Sequence, residues 1–325
     1  MNYITTIIDS QYMQVGGFGH VFYDVLSSYI IAHLFNLKFV YSNISTLGDD
    51  YCRTRGKKDS NTFSKISWDS FLQFSNNELT MKDIEHLKLN KVYINLVKPF
   101  HSIDLNILEE FINKHDNTLF ILTNNNRVYL NEIYHLKRDK YEEIITKLKN
   151  KLLHLKKEKN NDILNIAIHI RRGDWDWQPL DYDINFIKLF QETIPKNKKY
   201  TINIYSIGTK KQLDEIKNTF EKLDENITFN FDTDVFDTFI DIYNADIVVG
   251  GHSNFPKIIT MFTNNLFIYL PNKDGIVPAL GVNNKWKLYH NGRSLEIFDE
   301  DYKIMTNIYC NMNKDLIISK IGLLF

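Results

Sequence analysis

The chain has 325 residues, 24% of them charged, and a formal net charge of −1 at pH 7. This length accommodates two α/β domains with sizeable cores, and the balanced charge argues against a nucleic-acid partner bound through overall charge. No segment approaches the ~18 consecutive apolar residues of a membrane span, and the first nine residues do not resemble a signal peptide, so we expect a cytoplasmic protein without a membrane span.

The beginning of the chain predicts a strand over residues 3–8, a glycine-rich turn and then a helix. The turn reads Gly16-Gly17-Phe18-Gly19-His20. Apolar residues recur at helical spacing after it and predict one buried face: Val21, Val25, Leu26, Tyr29, Ile30 and Leu34. A strand, a glycine-rich turn and a helix bring a backbone close to an anionic ligand. The alternative is a tight turn in which glycine only provides positive φ.

The rest of the first half predicts strands at 37–41, 92–97 and 118–122 and a helix over 105–115. The pattern breaks up between residues 42 and 90, where we expect an insert that shapes the acceptor site together with the loop at 124–127. An amphipathic helix over 136–159 is followed by a polar run. This run indicates a domain boundary near residue 160.

The second half alternates between strands and helices, which predicts a parallel, doubly wound sheet. We predict strands at 163–170, 200–206, 227–231, 246–250 and 266–270, and helices at 184–194, 212–223, 235–243 and 255–262. Ligands bind beyond the carboxyl ends of such strands, so the connections at 206–208, 232–234 and 250–254 are candidates. In the last connection, Ser253 or Asn254 caps a helix that Pro256 begins, which leaves N–H groups for a phosphate.

The first strand of this half ends in His169-Ile170-Arg171-Arg172-Gly173-Asp174. Side chains alternate along an extended chain, so His169 and Arg171 should share one side while Arg172 points to the other. Two planar guanidinium groups suit a diphosphate, because each bonds anionic oxygens bidentately. The alternative is a pair of arginines in surface salt bridges.

Three of these segments occur in the order found in a known group of enzymes. The turn Gly16–His20 resembles the Gly-Gly-x-Gly-Asn turn of the fucosyltransferase superfamily, which includes α-1,2-, α-1,6- and protein O-fucosyltransferases. The stretch His169–Asp174 resembles its His-x-Arg-Arg-x-Asp motif, and Ala245–Phe255 is similar to its late Ala-Asp strand ending in Ser-Ser-Phe. His20 stands where the family has Asn, and Asn254 stands where it has the second Ser.

The resemblance implies an inverting glycosyltransferase that moves L-fucose from GDP-fucose to a hydroxyl group of a glycan-type acceptor without a metal or other cofactor. It also implies a GT-B-like α/β fold, with two Rossmann-like, doubly wound domains and the active site in the cleft between them. On this basis residues 1–160 form the acceptor-side domain and residues 161–300 bind the nucleotide sugar. Residues 301–325 form a tail that can pack back on the first domain.

The same resemblance assigns roles to individual residues. Arg171 would hold the β-phosphate of GDP, while His169 and Asp232 would place the guanosine. The full set of expected donor contacts is Gly17, Phe18, Gly19, His169, Arg171, Arg172, Asp232, His252, Ser253, Asn254 and Phe255. Arg171, Asp174 and His20 are the candidate catalytic residues.

His20 is the residue that departs from the family pattern in the first motif. A helix N-terminus disfavours the imidazolium cation, so the ring should stay neutral near pH 7 and can accept a proton from an attacking hydroxyl group. The alternative is that His20 only replaces Asn as the hydrogen-bonding group that holds the turn.

Two other classes of function remain open. Asp174-Trp175-Asp176, Asp181-Tyr182-Asp183 and Asp232-Thr233-Asp234 match the Asp-x-Asp pattern by which metal-dependent, GT-A-type glycosyltransferases hold Mn²⁺ or Mg²⁺. A chain with 40 acidic residues also produces such triplets by chance. The other class is a non-catalytic protein that binds sugar nucleotides or glycans on the same fold, and turnover of GDP-fucose would separate it from an enzyme.

Overall fold

A computed structural model describes residues 1–6, 18–42, 44, 67–94, 105–123, 137–160, 162–173, 180–251, 253–263, 265–269, 276–277, 282–283, 287–290 and 293–295. The described residues divide into two compact units, one up to residue 154 and one from residue 155. The roles of acceptor-side and nucleotide-binding domain, and the boundary at 160, remain predictions. The predicted tail from residue 301 lies outside the described residues.

The first unit alternates strands and helices. Its elements in chain order are β1 (Tyr3–Thr6), α1 (Phe18–Leu34), β2 (Lys38–Tyr41), α2 (Trp68–Leu72), β3 (Leu79–Thr80), α3 (Met81–Ile84), β4 (Asn90–Ile94), α4 (Leu105–Asn113), β5 (Thr118–Leu122) and α5 (Arg138–Lys151). The strands pair in parallel in the order β3-β2-β1-β5-β4. This unit is therefore an α/β layer of the kind that alternating elements predict.

Helix α1 is buried around most of its circumference, beyond the single face that the apolar spacing predicts. Asp24, Ser27 and Ser28 are buried together with the apolar residues of the helix. The hydroxyl groups satisfy their hydrogen bonds inside the helix, because Ser27 Oγ donates to the Tyr23 carbonyl at 2.9 Å and Ser28 Oγ donates to the Val25 carbonyl at 2.8 Å. A helix that is buried on most sides and carries few polar residues lies inside a core.

Two predicted features of the first unit differ from the structure. The insert between residues 42 and 90 contains β3, which extends the sheet at its edge beside β2. Two residues are too short for a periodicity to indicate a strand. Helix α5 ends at Lys151 instead of 159, because a 3₁₀ turn over Leu153–Leu155 follows and residues 156–160 are exposed.

The second unit begins with nine elements that follow the predicted alternation within a few residues. They are β6 (Ile163–His169), α6 (Asp181–Thr193), β7 (Lys199–Ser206), α7 (Lys210–Phe220), β8 (Ile227–Phe231), α8 (Val235–Asn244), β9 (Ile247–Gly250), α9 (Asn254–Thr260) and β10 (Leu266–Tyr269). Four short strands follow: β11 (Ile276–Val277), β12 (Val282–Asn283), β13 (Lys287–His290) and β14 (Arg293–Leu295).

The second sheet has the order β14-β13-β10-β9-β6-β7-β8 among the described residues. The strands β8, β7, β6, β9 and β10 pair in parallel, whereas β13 and β14 add antiparallel strands at one edge. The chain leaves the central strand β6 toward β7 and β8 and then returns to add β9 and β10 on the other side. A doubly wound sheet of this kind binds ligands at the carboxyl end of the point where the strand order reverses.

The core of this unit explains why β6 and β9 are central. Ile166 and Ile168 on β6, and Ile247 and Val249 on β9, are completely buried. Strands covered on both faces are continuously apolar, which is why the sequence pattern located them well.

The α/β fold class that the sequence predicts is confirmed. Within the described residues, no helix combines the length and apolar character needed to cross a membrane.

Candidate functional site

A pocket of about 130 Å³ lies at the carboxyl edge of the second sheet. Its polar lining comes from His169, Arg171, Arg172, Tyr205, Ser206, Thr233 and Thr238, and its apolar lining comes from Ile170, Ile207, Val235 and Phe255. Complete small-molecule sites usually have volumes of roughly 300–1,000 Å³, so this pocket accommodates one part of a larger ligand. It lies at the carboxyl ends of β6 and β7, where His169 lies opposite Tyr205 in the register, and Phe255 of α9 completes one side of it.

His169 is the last residue of β6 and lies against the ring of Phe255. The two ring centres are 5.7 Å apart and the rings are tilted by 42°. Burial, and then the positive charge of Arg171, lower the pKa of His169 to about 4, so the ring is neutral near pH 7. Nδ1 of His169 is buried and has no hydrogen-bond partner among the residues that the structure describes. A buried ring nitrogen of this kind is available to a ligand.

Arg171 and Arg172 lie beyond the end of β6, and both line the pocket. The alternation of an extended strand therefore does not separate them, because the strand ends at His169. Arg172 is only 6% exposed, and its Nη1 donates to the Arg171 carbonyl at 3.2 Å. Arg171 is half-buried. Arg171 is thus the more accessible of the two guanidinium groups for an anionic ligand.

The turn after β6 is connected to the start of α7 through Gln212. Gly173 has φ of 82°, in the left-handed region that glycine adopts readily, and its N–H donates to Gln212 Oε1 at 3.4 Å. The same oxygen accepts from the Thr209 N–H at 2.9 Å, while Thr209 Oγ1 accepts from the Gln212 N–H at 3.4 Å. Thr209 and Gln212 therefore form a capping box that also holds the turn carrying the arginines.

Gly208 allows this close packing. A Cβ atom at Gly208 would lie 2.9 Å from Gln212 Oε1 and 3.1 Å from Arg172 Cβ. Any larger residue would therefore displace either the capping glutamine or the buried arginine.

Asp232 follows β8 directly and holds the neighbouring turn in place. Its backbone has φ of 51°, and its N–H donates to the Ser206 carbonyl at 3.0 Å. Its Oδ1 accepts from the Gly208 N–H at 3.4 Å. Ser206 Oγ in turn donates to the Ile170 carbonyl at 2.7 Å. Asp232 lies at the predicted edge, and beside it Thr233 and Thr238 line the pocket.

Thr233 lies just before the cap of α8, and Thr238 lies in the first turns of that helix. Asp234 caps this helix, because its side chain accepts from the Phe236 N–H at 2.8 Å. Thr238 Oγ1 donates to the Asp234 carbonyl at 3.0 Å and lies 2.9 Å from Thr233 Oγ1. The two hydroxyl groups therefore form a short chain at the pocket wall.

Ser253 caps α9, as one of the two predicted alternatives. Its side chain accepts from the Phe255 N–H at 3.3 Å, so the cap itself uses this donor. The helix begins at Asn254, and Pro256 is its third residue instead of its first. A Cβ atom at Gly250 would lie 3.1 Å from Pro256 Cγ, so glycine at the end of β9 lets α9 approach the sheet.

Several predicted site residues lie outside the part of the chain that the structure describes, and two lie in the first unit. Gly17, Asp174 and His252 lie outside the described residues, and so do the side chains of His20 and Asn254, whose backbones belong to α1 and α9. Phe18 and Gly19 are the first residues of α1 in the first unit. The ring of Phe18 stacks on Trp68 with centres 3.6 Å apart, and it is 4% exposed.

The Asp-x-Asp triplets have different surroundings. Asp174-Trp175-Asp176 lies outside the described residues. In the second triplet, which lies in α6, Asp181 is exposed while Asp183 is completely buried. In the third triplet, the side chain of Asp234 caps α8. In the part of the chain that the structure describes, no three His, Cys, Asp or Glu side chains are grouped to hold a metal ion.

Sequence reasoning missed Tyr205, Gln212, Val235 and Thr238. The Thr-x-x-Gln pattern at 209–212 is a readable capping-box signal and could have identified Gln212. Tyr205 lies one residue before the end of β7, and its hydroxyl group donates to Asp241 Oδ2 at 3.2 Å. Val235 and Thr238 have no local signal, because their place at the pocket depends on how α8 packs against the sheet.

No protein-family model and no curated protein sequence matches the chain. Among solved structures, fucosyltransferase NodZ from Bradyrhizobium is 12% identical over 89% of this chain and 98% of that chain, with a TM-score of 0.41. NodZ α-1,6-fucosyltransferase soaked with GDP-fucose is 10% identical over 89% and 99%, with a TM-score of 0.42. POFUT1 in complex with GDP is 13% identical over 80% and 93%, with a TM-score of 0.39. Because these identities and TM-scores are low, the proposed function rests on the residues of this chain.

Proposed function

We propose that the chain is a fucosyltransferase-like glycosyltransferase that moves L-fucose from GDP-fucose to a hydroxyl group of a glycan-type acceptor, with inversion and without a metal. One observation carries the proposal: the His-x-Arg-Arg segment leaves β6 at the reversal point of the sheet and lines a pocket there. The proposal includes a GT-B-like pairing of the two units, with the acceptor bound by the first unit and the nucleotide by the second.

The chemistry of the pocket supports a nucleoside diphosphate. Transfer of the sugar leaves a diphosphate whose negative charge grows in the transition state, and a fixed guanidinium group stabilises that charge. Arg171, two residues beyond the end of β6, is the group proposed for this role, and its position in the pocket lining supports it. The ring of Phe255, the neutral His169 and the side chains of Ile207 and Val235 offer a largely apolar compartment for a flat base.

The remaining roles in the proposal rest on the sequence motifs. His20 is the proposed acceptor base, and Asp174 is the proposed catalytic partner of the arginine motif. The Gly17–Gly19 turn and the segment from His252 to Phe255 complete the proposed donor contacts.

The proposal is tested by nucleotide binding and by transfer. We expect GDP to raise the melting temperature more than UDP, and EDTA to leave this effect unchanged, since a ligand that binds the native state stabilises it by mass action. Release of GDP from GDP-fucose should depend on an added glycan acceptor. Equal stabilisation by UDP, or loss of binding in EDTA, would contradict the proposed donor. Binding of GDP without turnover over a panel of glycans would indicate the non-catalytic alternative.

The matched variants for this test are Arg171→Ala and Lys222→Ala. Lys222 is an exposed cation just after α7 and does not line the pocket. Each variant removes one positive charge, so a loss of GDP binding confined to Arg171→Ala separates a specific phosphate contact from overall charge.

A further inference from the structure

The hydroxyl groups of Thr233 and Thr238 have a fixed direction of donation. Each threonine hydroxyl group has one proton to donate and two lone pairs. The proton of Thr238 Oγ1 goes to the Asp234 carbonyl at 3.0 Å. The 2.9 Å contact between the two hydroxyl groups is therefore a bond from Thr233 to Thr238. Because the Thr233 hydroxyl group donates its proton to Thr238, its oxygen can only accept a hydrogen bond from a ligand in the pocket.

We infer that Thr233 is a specificity-determining residue that accepts a hydrogen bond from an N–H group on the edge of the nucleotide base, and that Thr238 is the positioning residue that fixes this polarity. The inference rests on the proposed function in placing a nucleotide in this pocket. It goes beyond that function because it states how the second unit selects one base over another.

Two features of the pocket suit a flat base, and the chemistry of the bases then favours one with an N–H group at its ring edge. Phe255 lies at 5.7 Å from the ring of His169, and Ile207 and Val235 add apolar surface, which suits a flat heterocycle. His169 is neutral, with a buried Nδ1 that lacks a partner among the described residues, so it adds a second polar contact without a charge. Guanine presents the N1–H and N2–H₂ donors on its Watson–Crick edge, whereas adenine presents an acceptor at the ring position N1 and a donor only at the exocyclic N6.

The positions of the two threonines also explain why the hydrogen-bond chain from Thr233 through Thr238 to the Asp234 carbonyl keeps its direction. Thr238 is 8% exposed and lies in the first turns of α8, whose start is capped by Asp234. Its bond to the Asp234 carbonyl is a bond within the helix, from residue i to residue i−4, so the folded helix supplies the acceptor at a fixed position. Thr233 precedes the cap and has no such constraint of its own. Thr238 thus determines which way the Thr233 hydroxyl group points.

The experiment measures the dissociation constants of GDP and ADP for the full chain and for four variants. In Thr233→Val the acceptor is removed, and we expect GDP to bind roughly 3- to 10-fold more weakly while ADP changes little. Thr233→Ser keeps a hydroxyl group and should restore the GDP affinity. Thr238→Val frees the Thr233 proton, so the ratio of GDP to ADP affinity should fall because ADP can now accept a hydrogen bond.

The matched control is Thr219→Val. Thr219 Oγ1 donates to the Glu215 carbonyl at 2.8 Å, the same type of bond within a helix, and Thr219 does not line the pocket. We expect this control to leave both affinities unchanged. Melting temperatures of all variants show that each one is folded at the temperature of the measurement.

The outcomes separate this inference from the proposed function. Equal losses of GDP and ADP affinity in Thr233→Val would overturn the inference, because they would indicate packing instead of an acceptor. Unchanged GDP affinity in that variant would overturn it too. The proposed function fails separately, if GDP binds and responds to Thr233 as expected but no fucose is transferred. Failure of the wild-type chain to bind any nucleoside diphosphate would overturn both.

Discussion

The N–H of Gly173 donates to Oε1 of Gln212 at 3.4 Å, and this bond joins the turn that carries the two arginines to the first turn of α7. Because Oε1 also accepts from the Thr209 N–H, truncation to Gln212→Ala leaves two backbone donors without their acceptor. We expect a loss of about 0.5–2 kcal/mol in the free energy of unfolding from the cap. GDP should also bind more weakly, since Arg171 is less well positioned.

Denaturant titrations and GDP dissociation constants test this role of Gln212. Gln212→Glu keeps an acceptor oxygen at this position and should recover most of the loss, whereas exposed Lys211→Ala on the same helix should behave as wild type. A loss of stability with GDP affinity unchanged would show that Gln212 only caps the helix.

Arg171 should carry the main diphosphate contact. Arg171→Ala should reduce the transfer rate by ~10²–10³, which corresponds to about 2–4 kcal/mol of transition-state stabilisation. Arg171→Lys should restore little activity, because an ammonium group cannot form the bidentate contact. The measurement is kcat/KM for transfer from GDP-fucose.

Arg172 provides the contrast to Arg171. It is only 6% exposed and packs against Gly208, so Arg172→Ala should lower the melting temperature more than Arg171→Ala does. Normal turnover in Arg171→Ala together with complete loss in a folded Arg172→Ala would assign the diphosphate to the other arginine.

His20→Asn tests the proposed acceptor base. If the imidazole takes the proton of the attacking hydroxyl group, transfer to the acceptor should fall by ~10²-fold or more while GDP binding persists. The asparagine keeps a hydrogen-bonding group at this position. Near-normal turnover would therefore show that His20 only holds the turn and is not the base. GDP affinity measured on the same preparation separates loss of catalysis from loss of the donor.

Two partly buried histidines should make the fold sensitive to mild acid. In the first unit, burial and the charge of Lys147 lower the pKa of His33 to about 4, and Lys147 Nζ lies 3.1 Å from its Nδ1. His169 in the second unit has a pKa of about 4 as well. Between pH 6.5 and 4 the unfolded chain binds more protons at these positions than the folded chain, so the free energy of unfolding should fall as the pH falls through this range.

Urea unfolding at pH 7 and at pH 4.5 measures this effect. For partly exposed His33 we expect about 1–2 kcal/mol of the pH-dependent loss, after allowance for solvent screening. His33→Gln should be less stable than wild type at pH 7 but should lose less on acidification. A loss of the same size in both proteins would show that groups other than the His33 imidazole carry the pH dependence in this range.

The strands were predictable where apolar and β-branched residues recur within a short run. Strand β5 and strand β8 have the bounds that the pattern predicts, Thr118–Leu122 and Ile227–Phe231. The pattern failed at β3, which has two residues, and at the end of α5, where lysines continue past the last helical turn. Long periodic segments carry their own signal, whereas short edge strands and helix ends depend on neighbours that the local sequence does not reveal.

By itself, the sequence determined the alternation of strands and helices in both halves and the position of the His-x-Arg-Arg motif at a strand end. These features follow from local periodicity and from the chemistry of adjacent side chains. Only the tertiary structure showed that Thr238 reaches the pocket wall, that Gln212 holds the turn at Gly173, and that Arg172 is buried while Arg171 is more exposed. The physical reason is that each of these facts depends on the packing of α7 or α8 against the sheet, which brings together residues about 30 or more positions apart along the chain. Hydrogen-bond direction and burial arise from that packing, and they distinguish residues that the sequence presents as equivalent.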